Sequence, residues 1–113
     1  MLQYKFERLN HTILKNYCTI TFNPPWDTLE SMDSGSMQSS EYVSRMLSEI
    51  QKVLNGQKAI HNFGGSDALL LRVTASDTEF VNLLTDENYG KVPTLEVVKL
   101  LTDWRDFLIS KGK

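Results

Sequence analysis

The sequence predicts a single α+β domain spanning residues 1–113, in which an antiparallel sheet of about four to five strands carries two helices on one face. Segments of alternating apolar and polar residues are interrupted by two segments with apolar residues at three-four spacing, an order typical of this class. The 113 residues suffice for one core, and a content of 41% hydrophobic and 23% charged residues is ordinary for a globular domain. Because the chain has one cysteine, an intrachain disulfide is excluded.

The N-terminal part is expected to form a β-hairpin. Residues 2–7 alternate between apolar and polar, the pattern of a half-buried strand. After a turn at Asn10-His11, residues 12–22 predict a longer strand, which ends at Asn23-Pro24-Pro25 because proline cannot continue a strand ladder. Cys18 falls on the apolar face of this strand, so we interpret it as a small buried hydrophobic residue rather than a nucleophile.

A long acidic loop, residues 23–39, is expected next, because the segment contains several Ser, Asp and Met residues and a Gly. Loops of this length in compact domains are usually functional or disordered. Ser39 or Ser40 can then cap a first helix, and Gly56 can end it. The apolar residues of this helix recur at three-four spacing: they are Val43, Met46, Leu47, Ile50, Val53 and Leu54.

Three short strands are expected after the first helix. Residues 58–63 and 68–75 predict two of them, joined by a turn at Gly64-Gly65-Ser66-Asp67. This turn is not a phosphate-binding loop, because it has no lysine and a strand rather than a helix follows it. Residues 79–84 fit a third strand, which we favour, or a short helical turn capped by Asp77.

The chain is expected to end in a loop and a second helix. Residues 85–93 predict the loop. Pro93 favours an extended residue before it, and Thr94 is expected to cap the helix. The apolar stripe of this helix consists of Val97, Leu100, Leu101, Trp104, Phe107 and Leu108.

No motif for catalysis, or for binding a metal or a cofactor, is evident, and we expect a non-enzymatic protein. One cysteine and two histidines do not supply the about four nitrogen or sulfur ligands of a zinc site. Asp27, Glu30 and Asp33 recur every three residues, whereas a calcium loop places its oxygen ligands at alternate positions. His11 and His61 could serve as the base and acid of a small hydrolase or nuclease, and this alternative stays open.

Charge is segregated along the chain, although the net charge is only −2. Successive segments ending at residues 15, 44, 72, 90 and 113 carry charges of +2, −4, +2, −4 and +2, and the two acidic segments contain no lysine or arginine. If folding brings these segments to one side, their field attracts cationic partners. The alternative is that the acids occupy solvated loops. The net charge itself argues against direct binding of nucleic acid.

The two acidic segments supply the candidate partner-binding residues. Trp26 and Tyr89 stand beside carboxylates, which is the composition of an interface anchor with a charged rim. For Trp26 the alternative is that the indole folds back over the edge of the core. The full set of candidates is Trp26, Asp27, Glu30, Asp33, Glu41, Asp77, Glu79, Asp86, Glu87 and Tyr89.

Several short motifs are shared with a known class of proteins. They are Trp26-Asp27, the loop Met32-Asp33-Ser34-Gly35, the capped first helix, and Val92-Pro93-Thr94 leading into a helix with Trp104. Between Phe22 and Leu108 the chain thus resembles small bacterial immunity proteins, which accompany polymorphic and contact-dependent growth-inhibition toxins. The resemblance implies a cytoplasmic protein that neutralises one cognate toxin, often a basic nuclease, by covering its active site or another face. It assigns no individual contact residue, because these proteins share no common signature.

We therefore expect an immunity protein that neutralises a basic protein toxin through an acidic surface. No stretch approaches the about 18 apolar residues of a membrane span, and residues 1–7 lack the apolar core of a secretory signal, so we expect a cytoplasmic protein without membrane contact. The alternative is an adaptor or regulatory module whose partner is not a toxin. The small hydrolase or nuclease is the third possibility.

Overall fold

The computed structural model describes residues 2–9, 16–64 and 69–113, apart from the side chains of Thr28, Glu30 and Ser31. In this part of the chain the fold is α+β, as predicted, and all strand pairs are antiparallel. The strands are β1 (Tyr4–Leu9), β2 (Tyr17–Phe22), β3 (Ile60–Gly64), β4 (Leu69–Thr74), β5 (Asp77–Asn82) and β6 (Asn88–Pro93). The helices are α1 (Ser40–Leu54) and α2 (Thr94–Ser110), and two 3₁₀ helices, Trp26–Asp33 and Gly35–Gln38, precede α1.

Strands β3 to β6 form a four-stranded sheet in sequence order, with both α-helices on one of its faces. In β4, Leu69, Leu71 and Val73 are buried, whereas Leu70 and Arg72 between them are partly exposed. Helix α1 packs on β3 and β4, helix α2 packs on β5 and β6, and the two helices pack on each other. The predicted arrangement of two helices on one sheet face is therefore confirmed.

Two predicted turns, at residues 10–11 and 65–67, lie outside the described residues, as do residues 12–15 of the predicted strand 12–22. The strands on either side of each turn pair as expected for hairpins: Leu9 lies opposite Tyr17, and Gly64 lies opposite Leu70. The described part of the second predicted strand is β2, which ends where the sequence predicts.

Strands β1 and β2 form a separate two-stranded sheet, which differs from the single sheet that we predicted. The physical reason lies at the free edge of β2. The Asp33 carboxylate accepts a hydrogen bond from the Ile20 amide at 2.8 Å. The Gln38 side chain accepts one from the Cys18 amide at 3.1 Å and donates one to the Cys18 carbonyl at 2.7 Å. Side chains thus occupy backbone groups that a further strand would need.

The segment 23–39, predicted as a long acidic loop, contains both 3₁₀ helices and contributes to the core. A 3₁₀ helix has three residues per turn, so Trp26, Leu29 and Met32 fall on one side of the first one. Leu29, Met32 and Met37 are fully buried, and the Met37 carbonyl accepts a hydrogen bond from the Trp104 indole at 2.7 Å. The loop prediction was wrong because it followed the polar composition and not this three-residue apolar spacing.

The β5–β6 hairpin agrees only in part with the prediction. Strand β5 confirms the strand alternative for residues 79–84, but it begins and ends two residues earlier. Strand β6 lies where we predicted a loop. Only Val92 of β6 is buried, and a bulge leaves Tyr89 without a partner in β5. Both features remove the regular alternation from which a strand is predicted.

The helix ends follow the predicted signals with one exception. Ser39 caps α1 by accepting a hydrogen bond at 3.4 Å from a backbone amide of the first turn, and Gly56, at a φ of +79°, follows its last turn. Thr94, predicted to cap α2, is instead its first residue. Its buried hydroxyl donates to the Thr74 carbonyl at 2.6 Å and lies 3.0 Å from the Thr78 hydroxyl, which ties α2 to the sheet.

The two-stranded sheet shares the core with the rest of the domain. The Phe6 ring lies 5.2 Å from the Trp104 ring and 5.4 Å from the Phe107 ring, centroid to centroid. Cys18 is fully buried, as predicted, and burial raises the pKa of its thiol. A thiol with a raised pKa carries little thiolate at neutral pH, which agrees with a packing role.

Candidate functional site

Several of the predicted partner-binding residues lie at or near one end of the four-stranded sheet. Because the strands are antiparallel, the end of β3, the start of β4, the end of β5 and the start of β6 meet there: Gly64 pairs with Leu70, and Leu69 pairs with Asn82. The β5–β6 turn, residues 83–87, projects from the same end. We call this end of the sheet the acidic end. Asp86 and Glu87 are exposed in its turn. The exposed residues Glu41 and Asp27 are assigned to it because their neighbours Tyr42 and Trp26 contact Gly64 and Phe80, respectively.

Helix α1 begins at the acidic end. The Tyr42 hydroxyl donates a hydrogen bond to the Gly64 carbonyl at 2.9 Å, which holds the first turn of α1 against the end of β3. Glu41, the preceding residue, is exposed. The Arg45 guanidinium lies over the Tyr42 ring, 5.9 Å from its centroid, so one positively charged side chain also lies near this end. Helix packing thereby brings a carboxylate of the first acidic segment to the end from which the β5–β6 turn projects.

Trp26 lies against the β5–β6 hairpin. Its ring centroid is 5.8 Å from that of Phe80. Gly90 pairs with Phe80 and has a φ of +120°, and a Cβ at Gly90 would lie only 2.9 Å from Cη2 of the indole. Glycine therefore permits both the backbone conformation and the close approach of the ring. The indole is half-buried at the edge of the core, which is the second of the two alternatives for Trp26, and Asp27 beside it is exposed.

The Asn82 side chain holds the β5–β6 turn. Its oxygen accepts hydrogen bonds from the Leu84 amide at 2.8 Å and from the Thr85 amide at 3.2 Å. Its nitrogen donates a hydrogen bond to the Tyr89 hydroxyl at 2.8 Å. A side-chain oxygen that accepts from the amides following it forms an Asx turn, a local structure that fixes the backbone without a regular ladder.

The backbone of Asn82 closes the same turn. Its amide donates a hydrogen bond to the Glu87 carbonyl at 2.8 Å, and its carbonyl accepts one from the Asp86 amide at 2.8 Å. Asp86 adopts a left-handed φ of +59°, a conformation that aspartate tolerates better than most residues. The turn is therefore fixed at both ends by hydrogen bonds of a single residue.

Two leucines of this turn are exposed, and neither is among the candidates predicted from the sequence. Leu83 is 48% exposed, and Leu84, at 82%, is the most exposed large hydrophobic residue in the described part of the chain. Single exposed leucines are common on protein surfaces. Here, however, the leucine stands in a fixed turn beside exposed carboxylates. The available signal was two consecutive leucines that interrupt the alternation of β5 directly before a polar stretch.

Within residues 2–9, 16–64 and 69–113, none of the ion pairs includes the exposed carboxylates at the acidic end. Their charges therefore act on the surrounding solvent, and like charges collected at one end of a small domain produce a field that attracts cations. The four residues are Asp27, Glu41, Asp86 and Glu87.

Asp33 was predicted as a surface contact, but its carboxylate faces β2. The residue is only 8% exposed, and it accepts the hydrogen bond from the Ile20 amide described above. Burial, and then the nearby Asp33 charge, raises the pKa of the Tyr17 hydroxyl. The prediction for Asp33 is corrected, because this carboxylate satisfies a strand edge and does not face solvent. The side chain of Glu30 lies outside the described residues.

Three further predicted residues lie on the strands of the β5–β6 hairpin and not in its turn. Asp77 is at the opposite end of β5, 3.9 Å from a lysine ammonium of β6. Glu79 accepts a hydrogen bond from the Asn88 side chain at 2.8 Å. Tyr89 is half-buried and accepts the hydrogen bond from Asn82, so it supports the turn and does not project as an aromatic anchor.

The predicted histidine pair cannot be assembled from the described residues, because His11 lies outside them. His61 is in β3, and its Nδ1 lies 3.1 Å from the Lys58 ammonium. Lys58 and Lys52 both donate to the Glu49 carboxylate, and these hydrogen bonds lower the pKa of Glu49 to about 2. No cluster of three or more side chains able to ligate a metal is found where the structure describes the chain.

An open groove of about 550 Å³ separates the start of β1 from α2. The Glu96 carboxylate accepts a hydrogen bond from the Leu2 amide at 2.8 Å. The Lys99 ammonium and the Tyr4 hydroxyl both donate to the Asp103 carboxylate at 2.8 Å, and Lys99 lowers the pKa of that carboxyl. These hydrogen bonds hold β1 against α2, so we interpret the residues that line the groove as structural.

The chain matches no protein-family model, no curated protein and no solved structure. None of the helices in the described ranges is long and apolar enough to cross a membrane. The candidate site is an end of the sheet whose exposed carboxylates form no ion pair with the described residues, together with a fixed turn that presents Leu84.

Proposed function

We propose that this chain is a cytoplasmic immunity protein, which binds a basic protein toxin through the acidic end and thereby neutralises it. One observation carries the proposal. Asp27 and Glu41 from the first acidic segment, and Asp86 and Glu87 from the second, are exposed at or beside one end of the sheet, together with the exposed Leu84. The resemblance of the sequence to small bacterial immunity proteins supports a toxin as the partner.

The physical properties of this surface favour a partner with clustered lysines and arginines. Electrostatic attraction accelerates the encounter of two such proteins, and a buried apolar anchor slows their dissociation. A standard interface buries about 800 Å² of each partner. The accessible surface of this domain is 6368 Å², so one face can supply an interface of that size. The same negative charge disfavours direct contact with nucleic acid.

A co-expression experiment tests neutralisation. The polypeptide encoded by the gene adjacent to that of this chain is expressed in a bacterial host alone, with the wild-type protein, or with the Asp86→Lys, Glu87→Lys double variant. The proposal requires that this polypeptide arrests growth when expressed alone. Wild type is expected to restore growth, whereas the variant is expected to fail. In calorimetry and stopped-flow binding, the variant should bind at least about tenfold more weakly at low salt, mainly through slower association.

A control variant with the same change in net charge, made elsewhere on the surface, shows whether the position of the charges matters or only their sum. Glu7→Lys with Asp106→Lys changes two exposed carboxylates on β1 and α2, and it should protect the host as wild type does. Equal loss of protection in both double variants, or full protection by the acidic-end variant, contradicts the proposal. Binding of the neighbouring polypeptide without recovery of growth favours the adaptor alternative.

A further inference from the structure

We infer that the β5–β6 turn is a preformed anchor: Asn82 fixes it so that Leu84 can enter an apolar pocket bordered by lysine or arginine on the toxin. The inference rests on the proposed function and adds the recognition chemistry of the partner and a positioning residue. It concerns the turn alone, whereas the proposed function concerns the charge of the whole acidic end.

The first step is that Leu84 contributes little to folding. Its residue surface is 82% exposed, so unfolding exposes hardly any further apolar surface there. The turn nevertheless has a fixed conformation, because the Asn82 side chain binds the amides of Leu84 and Thr85 and the Asn82 backbone binds Asp86 and Glu87. The hydrogen bonds of Asn82 therefore hold an exposed leucine in place without burying it.

A turn that is already fixed lowers the entropic cost of binding. A flexible loop loses conformational entropy when a partner orders it, and a loop that is already fixed avoids most of this loss. Behind the turn, the hydroxyl of the half-buried Tyr89 accepts a hydrogen bond from the side-chain nitrogen of Asn82. This bond also sets the orientation of the Asn82 side chain. Asn82 is thus a positioning residue, which acts on the partner through Leu84 and makes no contact of its own.

The third step identifies the partner's chemistry. When a partner covers the surface of the turn, an apolar anchor that enters a pocket contributes binding energy because the contacts around it exclude water. Asp86 and Glu87 lie within three residues of Leu84 and form no ion pair with the described residues. Their charges repel an anionic lipid surface or a nucleic acid and are complementary to a pocket rimmed by lysine or arginine.

The anchor itself is tested by measuring how Leu84→Ala binds the polypeptide encoded by the adjacent gene. This variant keeps the hydrogen bonds of Asn82, so the unfolding midpoint should stay unchanged while the dissociation constant rises about 30-fold or more, as expected for a hot-spot residue. Leu95→Ala is the matched control, since Leu95 is 69% exposed on α2. Its dissociation constant should stay within about twofold of wild type.

The role of Asn82 is tested by hydrogen exchange and binding together. Asn82→Ala should accelerate amide exchange at Leu84 and Thr85 and weaken binding about tenfold, because the freed turn must be ordered on binding. Asn82→Asp keeps an oxygen acceptor for both amides and can accept from the Tyr89 hydroxyl, so slow exchange and affinity should return. Failure of Asn82→Asp to restore either quantity, or unchanged exchange in Asn82→Ala, overturns the positioning role.

The remaining outcomes separate the inference from the proposed function. If wild type binds the toxin and Leu84→Ala binds it equally well, the anchor is overturned and the proposed function stands. If wild type does not bind the toxin, the proposed function fails, and the anchor fails with it. If the wild-type chain forms a dimer that Leu84→Ala dissociates in analytical ultracentrifugation, a second copy occupies the turn and the inference is overturned.

Discussion

The first 3₁₀ helix and the β5–β6 turn have similar compositions and opposite environments. Both combine large apolar residues with carboxylates. In the 3₁₀ helix, Leu29 and Met32 are fully buried and Asp33 is 8% exposed, whereas Leu84 of the turn is 82% exposed and Asp86 forms no ion pair with the described residues. Acidic composition therefore does not decide exposure. What decides it is whether the apolar spacing matches a local helix and whether another element packs over it.

The largest difference between the two regions is expected in how much their apolar side chains contribute to the free energy of unfolding. Met32→Ala removes a fully buried side chain and should lower the free energy of unfolding by about 2–5 kcal/mol. Leu84→Ala removes an exposed one and should change it by less than about 0.5 kcal/mol. Urea unfolding followed by tryptophan fluorescence measures both. Similar losses for the two variants would contradict the division into a core segment and a binding turn.

The second prediction concerns the contact between the two regions, where Trp26 meets Gly90. Gly90→Ala places a Cβ 2.9 Å from the indole at a φ of +120°, so strain and overpacking together should cost at least about 2 kcal/mol. Adding Trp26→Leu should recover the part of the loss that comes from the ring contact. Denaturant unfolding of the single variants and the double variant measures this coupling. Strict additivity of the two losses would show that the ring does not restrict residue 90.

The third prediction compares two carboxylates of the 3₁₀ segment. Asp33→Ala leaves the Ile20 amide without its acceptor and should cost about 1–3 kcal/mol of unfolding free energy. Asp33→Asn keeps an acceptor oxygen and should recover part of this loss. The control Asp27→Ala changes an exposed carboxylate and should stay within about 0.5 kcal/mol of wild type. If Asp27→Ala were as destabilising as Asp33→Ala, Asp27 would belong to the structural network and not to the binding surface.

The helices and most strands could be predicted from the sequence because their signals are local. The cap at Ser39, the stop at Gly56 and the three-four apolar spacing all lie within or beside the helices that they predict. The alternation of β4 likewise lies within its own six residues. Strand β6 was missed because its pairing depends on β5, and its own residues, with Gly90 and a bulge at Tyr89, do not alternate.

The candidate site was predicted only in part because exposure depends on contacts between distant residues. Asp33 is buried because it meets the edge of β2, 13 residues away in sequence. Trp26 is half-buried because it meets Phe80 and Gly90. Leu84 is exposed because no described element packs over the turn, and the two consecutive leucines at 83 and 84 are the one local sign of it in the sequence. The segregation of charge was visible in the sequence, but which carboxylates reach one end of the sheet depends on the antiparallel order of β3 to β6.

The smallest expected effect comes from a third kind of carboxylate, which is partly exposed and ion-paired. Hydrogen bonds from Lys58 and Lys52 lower the pKa of Glu49 to about 2, from its ordinary value of 4.5. A pKa that is lower in the folded state than in the unfolded state adds stability above pH 4.5, and this stability is lost as the pH falls toward 2. Because solvent screens the pair, Glu49→Gln should lower the urea midpoint at pH 7 only slightly.

The pH dependence distinguishes pairing from packing at Glu49. The difference in urea midpoint between wild type and Glu49→Gln should be constant from pH 7 to pH 5, shrink between pH 4.5 and pH 2, and vanish below pH 2. A difference that persists below pH 2 would assign the effect to packing of the side chain. Glu87→Gln is the control, because Glu87 forms no ion pair with the described residues, and it should move the midpoint little. The comparison then separates a carboxylate that stabilises the fold from one that is left available to a partner.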